Sequence, residues 1–404
     1  MEIAQPETLG FSTARLGRVR SGMQGLVDEG KLGGALTLIT RRGKVSHCES
    51  VGVGNLVTGK PIGMDTICRM YSMSKPITTV AVMLLYEEGR FRLHDPLSRY
   101  LPEFKDVQVA EIGGDGQARL VVPVRPITIH DLLTHTGGLS YGWEENLPTD
   151  KLFRERVGPL WAGRGKTALR DFVRGVASLP LRSQPGQIFN YSVSIDVLGY
   201  LVEVVSGMSF GDFLRQRIFD PLGMVDTSFW VPEEKLDRFA HMVGPLIQDG
   251  APVPGKVVDI DPFEASSYLH ADRLQSGGGG MVSTATDYLR FCQMILNHGE
   301  LDGVRLLGRK TVELMRINHL PAGKYCDDDV HAEGFGLGGS VLLDPVRATR
   351  SGSAGNWGWA GAAMTFFLID FREQMIAILM SQYQPGESET IDKFANSVYQ
   401  AMIG

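Results

Sequence analysis

Apolar positions along this chain recur at two different periods, and the change of period divides it. Ser12 is placed to cap a helix running to Glu29, with Gly30 beyond its end. Ala35–Thr40 then reads as a strand, turned at Arg42-Gly43 into a second strand from Lys44 to Val53. Ile67–Met70 is a short apolar approach to Ser72. From Ser72 to Glu88, the residues Ile77, Val80, Ala81, Leu84 and Leu85 fall at helical spacing. Pro76 is tolerated there because it lies in the first turn, and Gly89 stops the helix. Between about Asp95 and Asp272 loops surround several helices, at Ile129–Thr134, Ala168–Ser178, Ser194–Val205 and Ser209–Arg217. The last third returns to strands. Gly334–Leu343, Ala362–Ile369 and Gln374–Ser381 fit adjacent antiparallel strands, and Ile391–Met402 fits an amphipathic closing helix. The first and last thirds share a texture, so the pattern predicts one sheet built from both. The class is α/β (α+β), with a discontinuous sheet domain over 1–98 and 273–404 and a mostly helical insertion over 99–272.

Composition narrows the function classes. Of 404 residues, 43% are hydrophobic and 21% charged, which suits a soluble globular protein and excludes disorder. With 40 Lys+Arg against 46 Asp+Glu and no basic run, nucleic acid is not an expected partner. No apolar run approaches the ~18 residues of a membrane span, and Met375–Met380 reads as a buried strand. No basic-then-apolar block opens the chain. Cys48, Cys68, Cys292 and Cys326 are scattered without a CxxC pair, so they are expected as reduced thiols in a cytoplasmic protein.

Three patterns fail the test of their context. Gly207-Met-Ser-Phe-Gly211 matches G-x-S-x-G, but a nucleophile elbow follows a strand, and here helical spacing precedes it. Gly207 instead ends one helix while Ser209 and Asp212 cap the next. Gly334-Phe-Gly-Leu-Gly-Gly339 matches a dinucleotide fingerprint, yet a strand follows where a helix N-terminus is needed. Gly277–Gly280 lacks the G-K-[ST] ending of a phosphate loop, and Thr284 with Asp287 reads as another capping box. The histidines form no H-E-x-x-H. His130 and His135, five apart, are assigned structural or loop roles, and no metal or other cofactor is expected.

Ser72-Met-Ser-Lys75 is the S-x-x-K of the chain, at the start of a helix. An i, i+3 pair lies on one face, so the Lys75 amine can reach the Ser72 hydroxyl. The helix N-terminus favours loss of a proton and stabilises nearby negative charge. A lysine kept from water can serve as a base. The competing reading is a capping serine followed by a solvated lysine, because the tetrapeptide is common.

The surrounding residues decide between these. Arg69-Met-Tyr-Ser-Met-Ser-Lys-Pro-Ile-Thr78 and Leu93-His-Asp-Pro-Leu97 resemble the serine β-lactamase and penicillin-binding-protein superfamily, in its class C-like branch, and within that the family VIII carboxylesterases. Ile129–Leu139, Gln184–Ser192, Ser276–Thr284 and Gly358–Ala363 agree, so the resemblance runs from roughly Ser12 to the C-terminus. It implies a β-lactamase-like fold, an antiparallel sheet flanked by helices with the site in the cleft beside the insertion. It implies Ser72 as acylated nucleophile, Lys75 as its base and Tyr191, at the place of the family's Y-x-N tyrosine, as a proton shuttle. The backbone N–H groups of Ser72 and Ala362 would form the oxyanion hole.

Where the family has K-T-G this chain has Trp359-Ala-Gly361, and where it has the Y-x-N asparagine this chain has Val193. Both departures remove polar groups that hold an antibiotic-type ligand. Trp359, Ala360, Gly361 and Val193 are therefore expected to wall a substrate site, with Trp359 on an edge strand. The implied reaction is hydrolysis of small or medium acyl esters, with weak or absent β-lactam turnover. Alternatives within the same chemistry are an acyltransferase moving an acyl group from a thioester to a small-molecule hydroxyl, and a β-lactamase or D-amino-acid peptidase. A non-catalytic sensor on the same fold is the alternative of another class.

Overall fold

A computed structural model of the chain describes residues 2–114, 117–162, 167–327 and 330–404. A seven-stranded sheet organises it, with every neighbouring pair antiparallel. The strands are β1 (Gly34–Arg41), β2 (Lys44–Gly52), β3 (Glu333–Phe335), β4 (Ser340–Leu342), β5 (Trp357–Gly361), β6 (Thr365–Asp370) and β7 (Met375–Ser381). Their spatial order is β3-β4-β5-β6-β7-β1-β2. The first hairpin thus docks on the last strand, which joins the two ends of the chain in one sheet. Arg42 and Gly43, both at positive φ (52° and 75°), make the tight turn of that hairpin.

The helices that matter most to the site are α1 (Thr13–Asp28), α2 (Ser74–Glu87), α3 (Ser194–Ser206), α4 (Ala285–Leu296) and α5 (Ser388–Gln400). Strand alternation assigns each side chain to a layer. On β7, Met375, Ala377 and Leu379 join a core with Leu16 and Val19 of α1 and Phe394 and Val398 of α5. Ile376, Ile378 and Met380 join the larger core with Ile77 and Val80 of α2 and Leu289 of α4. With both faces covered, β1 and β7 are buried along their whole length, and β7 carries an unbroken apolar run over Met375–Met380. Each such Ile or Leu contributes about 1.5–3 kcal/mol on burial.

Local chemistry accounts for the helix starts. Ser12 accepts from Arg15 N–H at the head of α1, and Thr284 accepts from Asp287 N–H at the head of α4. Only half of the second predicted box forms: the Asp287 carboxylate turns instead to Asp226 N–H (2.7 Å) and Thr227 (2.8 Å). The Ser209–Asp212 box is likewise half formed: Ser209 caps the helix that follows Gly207 by accepting from Asp212 N–H, while Asp212 Oδ2 accepts from the Ser209 hydroxyl (2.7 Å).

Several boundaries differ from the sequence reading. Gly334–Leu343 is a hairpin of β3 and β4, because the glycines at 336, 338 and 339 allow a turn inside an apolar run, with Gly338 at φ 81°. The expected Ala362 strand begins at Thr365, and Ala362 sits in the turn after β5. The helix after Ser209 passes through a π-turn at Arg215–Phe219 and ends at Leu222 before Gly223. β5 is the third strand of the sheet, not its edge. Among the described residues no single helix is long and apolar enough to cross a membrane.

Candidate active site

Ser72 stands in a 3-10 turn, Tyr71–Met73, that runs directly into α2. Tyr71 has φ 43°, a left-handed conformation that costs a non-glycine residue about 1–2 kcal/mol. The surroundings hold the turn in place. Arg69 N–H donates to the Gln382 side-chain oxygen (2.8 Å) while the Gln382 amide donates back to Arg69 O (3.0 Å), so a side chain mimics a strand partner. The fully buried Arg69 guanidinium pairs with Asp261 at 2.7 Å and stacks on Phe239. Tyr288 Oη donates to Met73 O at 2.9 Å.

Lys75 is completely buried, which rules out a solvated lysine. Its Nζ lies 3.0 Å from Ser72 Oγ and donates to Gly278 O at 2.6 Å. The ring of Tyr191 packs on the same nitrogen, 4.6 Å from the ring centre. Gly278 N–H in turn donates to Asp196 Oδ1 (3.1 Å), which also accepts from Ser276 Oγ. Burial raises the Asp196 carboxyl above its ordinary range, opposed by the Ser276 hydrogen bond and the charge of Lys75. The four-glycine run therefore supplies backbone to the lysine. A Cβ at Gly278 would fall 2.4 Å from Asp196 Oδ2, so glycine is required there.

Tyr191 precedes α3, with its ring against His135 (4.7 Å between centres), Tyr141 (5.3 Å) and Trp359 (5.5 Å). Its phenol oxygen accepts from the indole Nε1–H of Trp359 at 3.1 Å, while the Lys75 amine meets the ring face. His135 is fully buried and burial drives its pKa well down; Ser192 N–H donates to its Nδ1, which puts the proton on Nε2. His130 turns away to His319 (3.0 Å). Both histidines are thus packed and hydrogen-bonded groups of the surrounding scaffold.

The end of β5 closes the site. β4 pairs only with Trp357 and Gly358, so Trp359, Ala360 and Gly361 have no strand on that side. A Cβ on Gly361 would lie 2.3 Å from Met70 O, which shows how closely β5 approaches the Ser72 turn. Among the described residues neither Ser72 N–H nor Ala362 N–H finds an acceptor. Both residues line two clefts. The larger, about 810 Å³, includes Trp143, Tyr191, Trp359, Ala360, Gly361 and Phe366. The smaller, about 380 Å³, includes Tyr71, Tyr141, Asp261, Tyr268, Arg273 and Gly278.

Of the residues expected at the site, Ser72, Lys75, Tyr191, Trp359, Ala360, Gly361 and Ala362 come together. Val193 does not: it starts α3 with its side chain fully buried in the core and lines neither cleft. Gly278, Asp196, Gln382 and Arg273 escaped the sequence reading. Only Gly278 carried a signal, in a glycine run too dense for an ordinary loop. A hydroxyl beside a buried amine, free amides next to it and a phenol within the same cleft are the parts that acyl transfer needs.

Comparisons with known proteins agree with the fold. A family model described as Beta-lactamase matches residues 19–400. Esterase EstB of Burkholderia gladioli is 32% identical over 399 residues, covering 93% of this chain and 89% of its own. Lovastatin esterase of Penicillium rubens is 28% identical over 366 residues, covering 85% of this chain and 88% of its own. Among solved structures, EstCE1, described as a hydrolase with promiscuous acyltransferase activity, superposes with TM-score 0.79 at 27% identity, covering 96% of this chain and 99% of its own.

Proposed function

The chain belongs to the beta-lactamase family, and from that premise we infer that it is a serine ester hydrolase acting on small to medium acyl esters through an acyl-enzyme on Ser72. The observation that carries this is the fully buried Lys75 amine, 3.0 Å from Ser72 Oγ and fixed by Gly278 O. In the proposed reaction Lys75 keeps one N–H on Gly278 O and takes the Ser72 proton as Oγ bonds to the ester carbonyl carbon. The carbonyl oxygen becomes an oxyanion held by Ser72 N–H and Ala362 N–H. The carbon–oxygen bond to the alcohol then breaks, and the leaving alkoxide takes the Tyr191 phenol proton. In deacylation the phenolate takes a proton from the attacking water, and Lys75 returns its proton to Ser72 Oγ, releasing the acid and restoring the Ser72 hydroxyl. Lys75 and Tyr191 are in ring contact rather than joined by a direct hydrogen bond, which favours Lys75 for the first proton and Tyr191 for the leaving group.

Trp359 stands where a carboxylate-holding lysine would, and supports weak β-lactam turnover. The same acyl-enzyme discharged onto an alcohol would make the protein an acyltransferase, a reading supported by the description of EstCE1. Free thiols at Cys48, Cys68, Cys292 and Cys326 suit a reducing, cytoplasmic setting. The test is hydrolysis of p-nitrophenyl acetate, butyrate and octanoate beside a chromogenic cephalosporin, with wild type and Ser72→Ala. Rapid ester cleavage, lost in the variant and accompanied by little cephalosporin turnover, is expected. Esterase activity surviving in Ser72→Ala would overturn the assignment. Added small alcohols raising acylated product at the expense of free acid would favour the transferase.

A further inference from the structure

We propose that the smaller cleft beside Ser72 receives the acyl half of the ester, and that Arg273 in its wall selects short acyl groups ending in a carboxylate. This rests on the Ser72 ester-hydrolase reading and gives it a substrate class.

The assignment of the halves follows from which groups line which space. Ser72 and Ala362 border both clefts, whereas Tyr191 and Trp359 border the larger one alone. The leaving oxygen must face Tyr191 to be protonated, so the alcohol extends into the larger cleft. The acyl chain continues from the other side of the carbonyl carbon, into the smaller one.

Arg273 is fixed in that smaller space. Its Nη1 donates to Phe229 O at 3.0 Å and to Gly280 O, and its guanidinium lies 3.8 Å over the Tyr268 ring. Among the described residues it has no carboxylate partner, unlike the buried or half-buried Arg41, Arg69, Arg238 and Arg350. Its Nε is buried without an acceptor. The other charged group in the wall, Asp261, is already taken by Arg69 (2.7 Å) and Ser266 (2.9 Å). Tyr71, Ser267 and Tyr268 add hydroxyls. The uncompensated charge facing the space is therefore positive and held rigidly, the arrangement in which a guanidinium best recognises a carboxylate. A volume of about 380 Å³ suits the short arm of a diacid half ester. Chemistry at the carbonyl is unchanged: Ser72 Oγ acquires the half-acid acyl group, the alcohol leaves with a proton, and water releases the diacid.

The test compares kcat/KM for the p-nitrophenyl half ester of glutaric acid with that for p-nitrophenyl pentanoate, which has the same chain length. Wild type, Arg273→Met and Arg273→Lys are measured. Wild type is expected to favour the half ester. The ratio should fall about tenfold in Arg273→Met, the effect of losing one charged hydrogen bond, and recover largely in Arg273→Lys. Salt should lower the wild-type ratio, an arm that stands even where Arg273→Met fails to fold. A wild-type ratio below one, a salt-independent ratio, or an equal loss on both esters in Arg273→Met would each overturn the proposal; the last would mean that Arg273 only ties Phe229 to Gly280. Cleavage of both esters by Ser72→Ala would instead remove the hydrolase reading on which the proposal stands.

Discussion

Replacing Trp359 with phenylalanine isolates one hydrogen bond at the centre of the site. The indole Nε1–H is the donor to Tyr191 Oη at 3.1 Å. A phenyl ring preserves the face toward Tyr191 and the edge contact with Phe335, whose centre lies 5.2 Å away. A hydrogen bond between neutral groups contributes about 0.5–1.5 kcal/mol, and one to a charged group about 1.5–3 kcal/mol. In the proposed mechanism the phenol oxygen gains negative charge as it gives its proton to the leaving alkoxide, so the bond strengthens in the transition state. Because the neutral bond already exists in the ground state, kcat loses only the difference, about 1–1.5 kcal/mol, and should fall about 5- to 13-fold while KM changes little. Steady-state rates with ethyl butyrate, whose leaving ethoxide needs that proton, separate the two parameters. An unchanged kcat with a raised KM would refute the reasoning and leave Trp359 as a substrate wall, the role its apolar character suggests in the sequence.

Other predictions follow from the packing around Ser72. Asp196→Leu strands Gly278 N–H and Ser276 Oγ–H in the core, at about 1–3 kcal/mol each, and should lower the thermal midpoint; an undiminished midpoint would show that both donors find other partners. Gly361→Ala places a Cβ 2.3 Å from Met70 O, a backbone atom that cannot swing aside, so β5 must move from the Ser72 turn and esterase activity should collapse; activity near wild type would contradict the close approach. His130 is held down to about 4 by burial and by its neighbours His319 and His94. Because the unfolded imidazole titrates near ~6.5, the neutral His130 contributes stability that is complete above that pH and is lost as pH falls toward about 4. Urea midpoints for wild type and His130→Asn should converge over that window, and a constant gap would count against it.

What could be read from the sequence was what depends on neighbouring residues. The cap at Ser12, the Arg42-Gly43 turn, the Gly207–Ser209 helix break and the Ser72–Lys75 pairing are all set within a few positions, and the structure forms each of them. The shared texture of the two ends foretold their common sheet. Long-range pairing was hidden. Gln382 serving the backbone of Arg69, and Asp196 ordering the Gly278 amide, join positions whose partners no local pattern marks. Trp359 was legible as the residue at the K-T-G place but not as a donor to Tyr191, because hydrophobic character conceals the indole N–H. Val193 was misplaced for the converse reason. Its place at the asparagine of the family's Y-x-N motif gave it a site role, while its apolar side chain lies fully buried in the core.

The central claim is an ester-derived acyl group on Ser72, and rapid quench with mass spectrometry tests it most directly. Wild type mixed with p-nitrophenyl butyrate and stopped in acid during turnover should carry one butyryl group on the peptide containing Ser72, and Ser72→Ala should carry none. A butyryl group on another residue, or turnover without any covalent species on Ser72 under conditions that slow deacylation, would contradict the account.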